Sequence, residues 1–199
     1  MIETEVFVLA DRALDKVVAQ IRADPWAMEM PASFARRQTD RTPTLREIIN
    51  YHAYDDAWVP DMLAGRTMDE AGKEKHKGDL LGDDPKGNFT RIVAAACAAA
   101  GELTDLERTV HCSFGDFSAR DYLTQTTMFR GMRAHDIARV IGVEPSLSDD
   151  LVQGLWDEIS PQAEAWREIG VFPARVPVPD DAPLFDRLLG LTGRDPHAA

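Results

Sequence analysis

The chain is poor in cysteine, with 2 in 199 residues, Cys97 and Cys112. They form no CxxC or zinc-knuckle spacing, which argues against a cysteine-based metal module or redox motif. Cys97 falls in the Ala-rich run 93–100, where a small buried thiol is expected, and nothing points to an oxidising compartment. Long apolar runs are also missing. None approaches the roughly 20 residues that span a bilayer, so no membrane partner is expected. The N-terminus has no basic segment leading into an apolar core, so no secretory leader is expected and a cytoplasmic location follows by default. Basic residues are in deficit. There are 22 Lys and Arg against 34 Asp and Glu, a formal net charge of -12. Such a surface repels phosphate backbones, which argues against nucleic acid as a partner. The densest basic stretch, Arg36, Arg37, Arg41 and Arg46, is interrupted by Asp40 and Glu47 and reads as a solvated loop and helix start. No GxSxG elbow, Walker loop or dinucleotide fingerprint is present, and there is no internal repeat.

What is present is helical periodicity on a chain with 44% hydrophobic and 28% charged residues, enough to bury one core. Between Val6 and Ile21, the residues Leu9, Ala10, Ala13, Leu14, Val17 and Val18 recur at helical spacing until Asp24-Pro25 stops them. A polar loop follows from Ala32 to Pro43. Thr44 and Glu47 form a capping box for a second helix. Its inward stripe is Leu45, Ile48, Ile49, His52, Val59 and Leu63, and it fades at Gly65. Residues 67–86 are rich in charge, Gly and Pro, which predicts a loop with at most a short helical turn. Asn88 is expected to cap a third helix running to about Gly101. Val110, Cys112 and Phe114 alternate with His111 and Ser113, which suggests a short extended segment. Ser118 and Asp121 open a fourth helix that ends at Gly142 and carries Met128, Gly131, His135 and Ala138 inward. Ser148 caps a fifth helix towards Gly170, with a break expected near Ser160 because of Pro161. An extended Val176–Pro179 and a short helix over 180–191 complete the chain. Together these signals predict one all-α domain over 1–199. Its core, about 1–170, is an up-down four-helix bundle, followed by an extended tail and short helix over 171–199.

Two of the five histidines, His52 and His135, interrupt otherwise apolar stripes on separate helices. A neutral imidazole is a good ligand for zinc, nickel or iron(II), and bundles build metal sites from facing helices. A buried histidine is also commonly a hydrogen-bonded core residue, so both readings stay open here. A third ligand would naturally come one turn before His135, but that position is Gly131. Asp55 and Asp56, three and four residues after His52, are the available substitutes; solvent or capping roles are the alternative for them and for Asp136. His76 sits in a Lys-rich loop and His197 near the C-terminus. His111 and Cys112 are adjacent on an extended segment and point to opposite faces, which argues against a Cys-His pair. Trp26, Trp58, Trp156 and Trp166 are scattered and read as packing residues rather than a ligand cage.

The stretches LREIINYHAYDDAWVPDMLAG, RAHDIARVIGVEPSLSDDLV and VPVPDDAPLFDRLLGLTGRDP give a resemblance that spans nearly the whole chain. They resemble the DinB/YfiT-like superfamily, in the branch of mycothiol-dependent maleylpyruvate isomerase N-terminal domains. The second stretch is similar to that branch's His-x-Trp-Asp-Leu-Ala helix, and the third to the C-terminal signature of a single-domain, metal-binding-type subgroup. The resemblance implies a four-helix bundle holding a divalent metal, zinc or nickel, through three residues. His52 and His135 match two of them, and Gly131 stands at the third. It also implies a thiol cofactor such as mycothiol and an electrophilic small-molecule substrate. A metal-bound thiol is deprotonated near neutral pH, which supplies a nucleophile. The chain lacks room for the second domain of the isomerase proper, so the implied activity is a thiol-dependent transferase or isomerase other than maleylpyruvate isomerisation. The incomplete triad leaves a second expectation: a non-catalytic bundle with a degenerate metal site that acts as a binding or interaction protein. Such bundles often pair, so a homodimer is a further expectation.

Overall fold

A computed structural model describes residues 1–34, 41–113, 115–145 and 147–197. Among the described residues the protein is all-α apart from one two-stranded hairpin. Among the described residues no helix is long and apolar enough to cross a membrane. Backbone contacts divide the chain into two units, Ile2–Ser146 and Leu147–Ala199.

The larger unit is built on four long helices. The first, α1 (Glu3–Gln20), buries Val6, Phe7, Ala10, Leu14, Val17 and Val18 along one face. The second, α2 (Leu45–Leu63), starts at the expected capping box. The Glu47 N–H donates to Thr44 Oγ1 at 3.3 Å, and the Thr44 N–H donates to the Glu47 carboxylate at 2.8 Å. All six residues of its expected inward stripe are buried. Of the polar loop and basic stretch, residues 35–40, and with them Arg36, Arg37 and Asp40, lie outside the described residues. Arg41 bonds Glu47, and Arg46 bonds Asp79 at 2.6 Å, so both are paired with acids.

The charged segment after α2 contains one helical turn, α3 (Met68–Ala71). The next helix, α4 (Pro85–Glu102), begins earlier than Asn88. Asp84 is the cap, accepting from the Gly87 N–H at 3.0 Å, and Pro85 occupies the first helical position. Pro is suited to that position because its φ is preset and its missing N–H would have had no helical partner. Asn88 sits inside the helix and donates to the Leu81 carbonyl at 2.7 Å. The extended segment is an antiparallel hairpin of β1 (Thr109–Cys112) and β2 (Gly115–Ser118), pairing Val110 with Phe117 and His111 with Asp116. Phe114 lies outside the described residues. Ser118 caps α5 (Ala119–Ile141), and Gly142 ends it at φ +70°, the left-handed conformation that favours glycine. In this unit α1 packs against α4 and α5, and α4 packs against α2.

The smaller unit holds α6 (Asp149–Ile159), α7 (Ala163–Glu168) and α8 (Leu184–Leu191). Ser148 caps α6 as expected, and the break at Pro161 separates α6 from α7. The last helix starts at Leu184 rather than near Asp180, because Pro179 to Ala182 form a turn closed by a 3.1 Å backbone hydrogen bond. The extended proline segment packs on α8: the Val176 N–H donates to the Gly190 carbonyl at 3.0 Å. Trp156 receives the Arg187 guanidinium at 4.8 Å, and Trp166 packs on Phe172.

Candidate functional site

Because α2 and α5 each pack on a different neighbour, their backbones stand apart and side chains fill the space between. The face of α2 carrying Tyr51, His52, Asp55 and Trp58 meets the face of α5 carrying Thr126, Phe129, Arg130 and Arg133 across two cavities. Helical spacing of three and four residues places these side chains in one row on each helix.

The floor of this cleft is a buried charge cluster that sequence reasoning missed. Arg130 on α5 is 1% exposed, and Asp11 on α1 and Asp56 on α2 are 0% exposed. Arg130 Nε donates to Asp56 at 2.8 Å and lies 3.1 Å from Asp11. Burial opposes the guanidinium charge, but Asp56 and Asp11 more than offset it and push the Arg130 pKa up. Burial raises the Asp56 carboxyl to about 6 against the pull of Arg130. Burial, reinforced by the Asp56 charge, raises Asp11 well above the usual carboxylate range. Two carboxylates around one guanidinium cannot both be neutralised by it, so Asp11, whose oxygens accept no hydrogen bond among the described residues, is the one favoured to keep a proton. A signal existed in the sequence. Asp11 is four residues from Phe7 and three from Leu14, and Arg130 is spaced likewise between Thr127 and Ala134, so both lie on buried stripes.

The first cavity, about 190 Å³, is walled by Tyr51, Tyr54, Trp58, Phe117, Tyr122 and Phe129, with Asp55 and Arg130 also reaching it. Trp58 therefore does more than pack. It is 5% exposed, and its indole N–H has no acceptor among the described residues. The second cavity, about 410 Å³, is lined by His52, Arg133, Phe34, Arg41 and Glu47 among others. Tyr51, Asp55 and Phe129 line both cavities, so the two adjoin. Tyr51 and Phe129 are 39% and 49% exposed, which places aromatic rings at the mouth. Arg133 lies over the Phe34 ring, 4.4 Å from its centroid.

His52 is 3% exposed and its Nδ1 has no hydrogen-bond partner among the described residues. Burial lowers its pKa well below 6.5, and the charges of Arg130 and Arg133 lower it further, so the imidazole is neutral at physiological pH. Asp55 shares its cavity, whereas Asp56 turns into the core to meet Arg130. His135 is buried on α5 but is not among the residues lining either cavity, and Gly131, one helical turn before it, is also buried. Among the described residues no group of three or more His, Cys, Asp and Glu side chains is placed to hold a metal ion. Asp136 lies 3.8 Å from Arg133 on the same helix.

The remaining reactive groups fall outside this arrangement or are quiet. Burial pushes the Cys97 thiol up to about 12 and the Cys112 thiol up to about 11, so neither is a thiolate at neutral pH. Both are free thiols. His111 pairs with Asp116 across the hairpin at 2.8 Å. His76 packs edge-on against Trp58, 4.8 Å between centroids, and burial lowers its pKa. Comparison with known proteins finds no matching family model, no matching curated protein and no matching solved structure.

Proposed function

We propose that this chain is a small-molecule-binding protein on a DinB-like helical scaffold, with its ligand held in the cleft between α2 and α5. The observation that carries the reading is His52. A neutral imidazole, 3% exposed, with an unpartnered Nδ1, lines a cavity of about 410 Å³. An unsatisfied buried polar atom costs about 1–3 kcal/mol, and a ligand hydrogen bond removes that cost. Concave, mostly apolar clefts with a few convergent polar groups are the usual form of small-molecule sites.

The donor set does not fit a three-residue metal site. Gly131 has no side chain, Asp56 is bonded to Arg130, and His135 does not line the cavity that His52 lines. Arg133, with Asp55, Arg41 and Glu47, is among the side chains that share the cavity with His52. A guanidinium in a ligand position favours an organic group over a cation.

The second reading is a divalent-metal, thiol-dependent transferase or isomerase using zinc or nickel and a mycothiol-type thiol. It is favoured by two buried imidazoles, His52 on α2 and His135 on α5. Elemental analysis of the full chain purified without a polyhistidine tag separates the two. The binding reading expects no stoichiometric zinc or nickel, and affinity gained in Gly131→Glu. Stoichiometric metal in the parent, lost in His52→Ala, would establish the enzyme reading instead. The cleft itself is tested by a fragment screen read by NMR. Hits should shift the resonances of Tyr51, His52 and Phe129; hits that map only elsewhere would overturn the assignment of the cleft.

A further inference from the structure

We infer that the end of the cleft beside Trp58 takes an uncharged aromatic compound, one ring in size, whose acceptor oxygen or nitrogen receives the Trp58 indole N–H. This assignment rests on the cleft between α2 and α5 being the ligand site.

Shape sets the size of the ligand. The cavity of about 190 Å³ that Trp58 lines is also walled by Tyr54, Phe117, Tyr122 and Phe129. An apolar cavity of about 150 Å³ holds one benzene ring, so this one has room for a single ring with a small substituent. Aromatic walls pack a flat ring in offset or edge-on contact, a geometry that a saturated chain does not use.

The indole sets the polar group. Trp58 is 5% exposed, and its Nε1 has no partner among the described residues. A buried donor without an acceptor is unfavourable, and an indole N–H can only donate, so the missing group is an acceptor. The ring is held before any ligand arrives. Tyr54 packs on it edge-on at 6.2 Å between centroids, and His76 does so at 4.8 Å. Lys75, the neighbour of His76, donates to Asp61 of α2 at 2.6 Å, which ties that loop to the helix carrying Trp58. A donor fixed in place loses little freedom when an acceptor meets it.

Charge compensation makes the ligand neutral. Each of the three guanidinium groups lining the cleft has a carboxylate partner: Arg130 with Asp56 and Asp11, Arg41 with Glu47, and Arg133 with Asp136 at 3.8 Å. Asp55 lines both cavities. Burial lowers the Arg130 pKa, and Asp55 joins Asp56 and Asp11 in raising it, so Asp55 and Arg130 lie in each other's field. At the Trp58 end an anion would therefore face Asp55 and a cation would face Arg130, with the opposite charge already engaged. Burial also keeps the other titratable groups of this cavity neutral: it raises the Tyr122 phenol and pushes the Cys112 thiol up to about 11. Surroundings that disfavour charge on these side chains disfavour it on a ligand too.

The test uses the full chain and four one-ring probes: acetophenone, α-methylstyrene, which has the same shape without the acceptor, benzoate and benzylammonium. NMR titration gives each affinity and follows the assigned Trp58 indole N–H. Acetophenone should shift that resonance and bind at least about tenfold more tightly than either ion, because a buried charge finds no free counter-charge there. Trp58→Phe should weaken acetophenone about fivefold, the worth of one neutral hydrogen bond, and change α-methylstyrene less than about twofold. Thermal melts establish that the variant is folded; if it is not, the wild-type indole shift and the ranking of the four probes decide. An ion that matches or exceeds acetophenone overturns the inference. So does acetophenone binding that leaves the indole N–H unshifted, or a folded Trp58→Phe variant that weakens both neutral probes alike. If no probe shifts the indole, the inference also fails. The cleft reading survives that last result when fragments still shift Tyr51, His52 and Phe129, and falls with it when they map only elsewhere.

Discussion

Arg130 on α5 and Asp56 on α2 meet at the floor of the cleft, with Arg130 Nε donating to the Asp56 carboxylate at 2.8 Å. Their helices make little direct backbone contact, so this pair and Asp11 behind it tie the two sides of the cleft together. The cluster sets both the electrostatics of the site and the cost of disturbing it.

Arg130→Met removes the guanidinium that lies between the buried Asp56 carboxylate and Asp11. Breaking a buried ion pair from one side costs about 3–5 kcal/mol, because the remaining charge is left without compensation. Replacing all three residues together, Arg130→Met with Asp11→Leu and Asp56→Leu, should recover most of that loss. Urea unfolding monitored by circular dichroism measures both. A loss below about 1 kcal/mol in Arg130→Met would contradict a buried, paired guanidinium.

The cluster and His52 pull the pH dependence of stability in opposite directions. Asp56 is raised from 3.8 to about 6, so the folded state holds its proton more tightly than the unfolded state. Its contribution is therefore full below 3.8 and declines as pH rises through about 6. His52 is lowered below 6.5, so its contribution is full above 6.5 and is lost as pH falls. Each can contribute a slope of at most about 1.4 kcal/mol per pH unit. Between pH 4 and pH 6, Asp56→Asn should tilt the stability profile upward with pH relative to the parent, and His52→Gln should tilt it downward. Thermal melts across that range decide it. Parallel profiles for all three proteins would show that neither group shifts on folding.

Gly190→Ala tests the smaller unit. A Cβ at this position would stand 2.4 Å from Val178 Cγ2 and 2.7 Å from the Val176 carbonyl oxygen. Backbone on one side and a packed side chain on the other leave nothing free to yield, so a loss of about 1–3 kcal/mol is expected. The expected sign of local damage is faster amide exchange at Val176, which donates to Gly190. Unchanged exchange there would show that the proline segment is not held by α8.

Asp84→Ala removes the cap of α4 and should cost about 1 kcal/mol. The Gly87 amide, which Asp84 accepts at 3.0 Å, should lose its exchange protection. Asn88→Ala should leave that amide protected, since Asn88 bonds Leu81 instead.

The Asn88 case shows where reading by residue type runs short. Asn is a strong capping residue, but Asp84 followed by Pro85 is a better start, and the choice between two adjacent candidates depends on which one the chain turn presents to the helix. The Thr44 and Ser118 caps had no such competitor, and the helices begin where those residues predict. The Pro161 break was equally legible, because a missing N–H acts locally whatever surrounds it. Of the candidate ligands, the sequence placed His52 and His135 on buried stripes, and both are buried. It did not show that Arg133 rather than His135 would share the His52 cavity, or that Asp56 would be taken by Arg130.

By itself, then, the sequence determined what depends on neighbours within a turn or two of helix: the helical spans, most of their caps, the extended character of the segment after Thr109, and the faces turned inward. These follow from spacing and from backbone hydrogen bonding that each segment satisfies alone. Only the tertiary structure decided which inward residues meet. Asp11, Asp56 and Arg130 are separated by up to 119 residues, and no local rule relates them. They come together because α1 and α4 space α2 from α5, leaving a cleft whose buried charges must find one another across it.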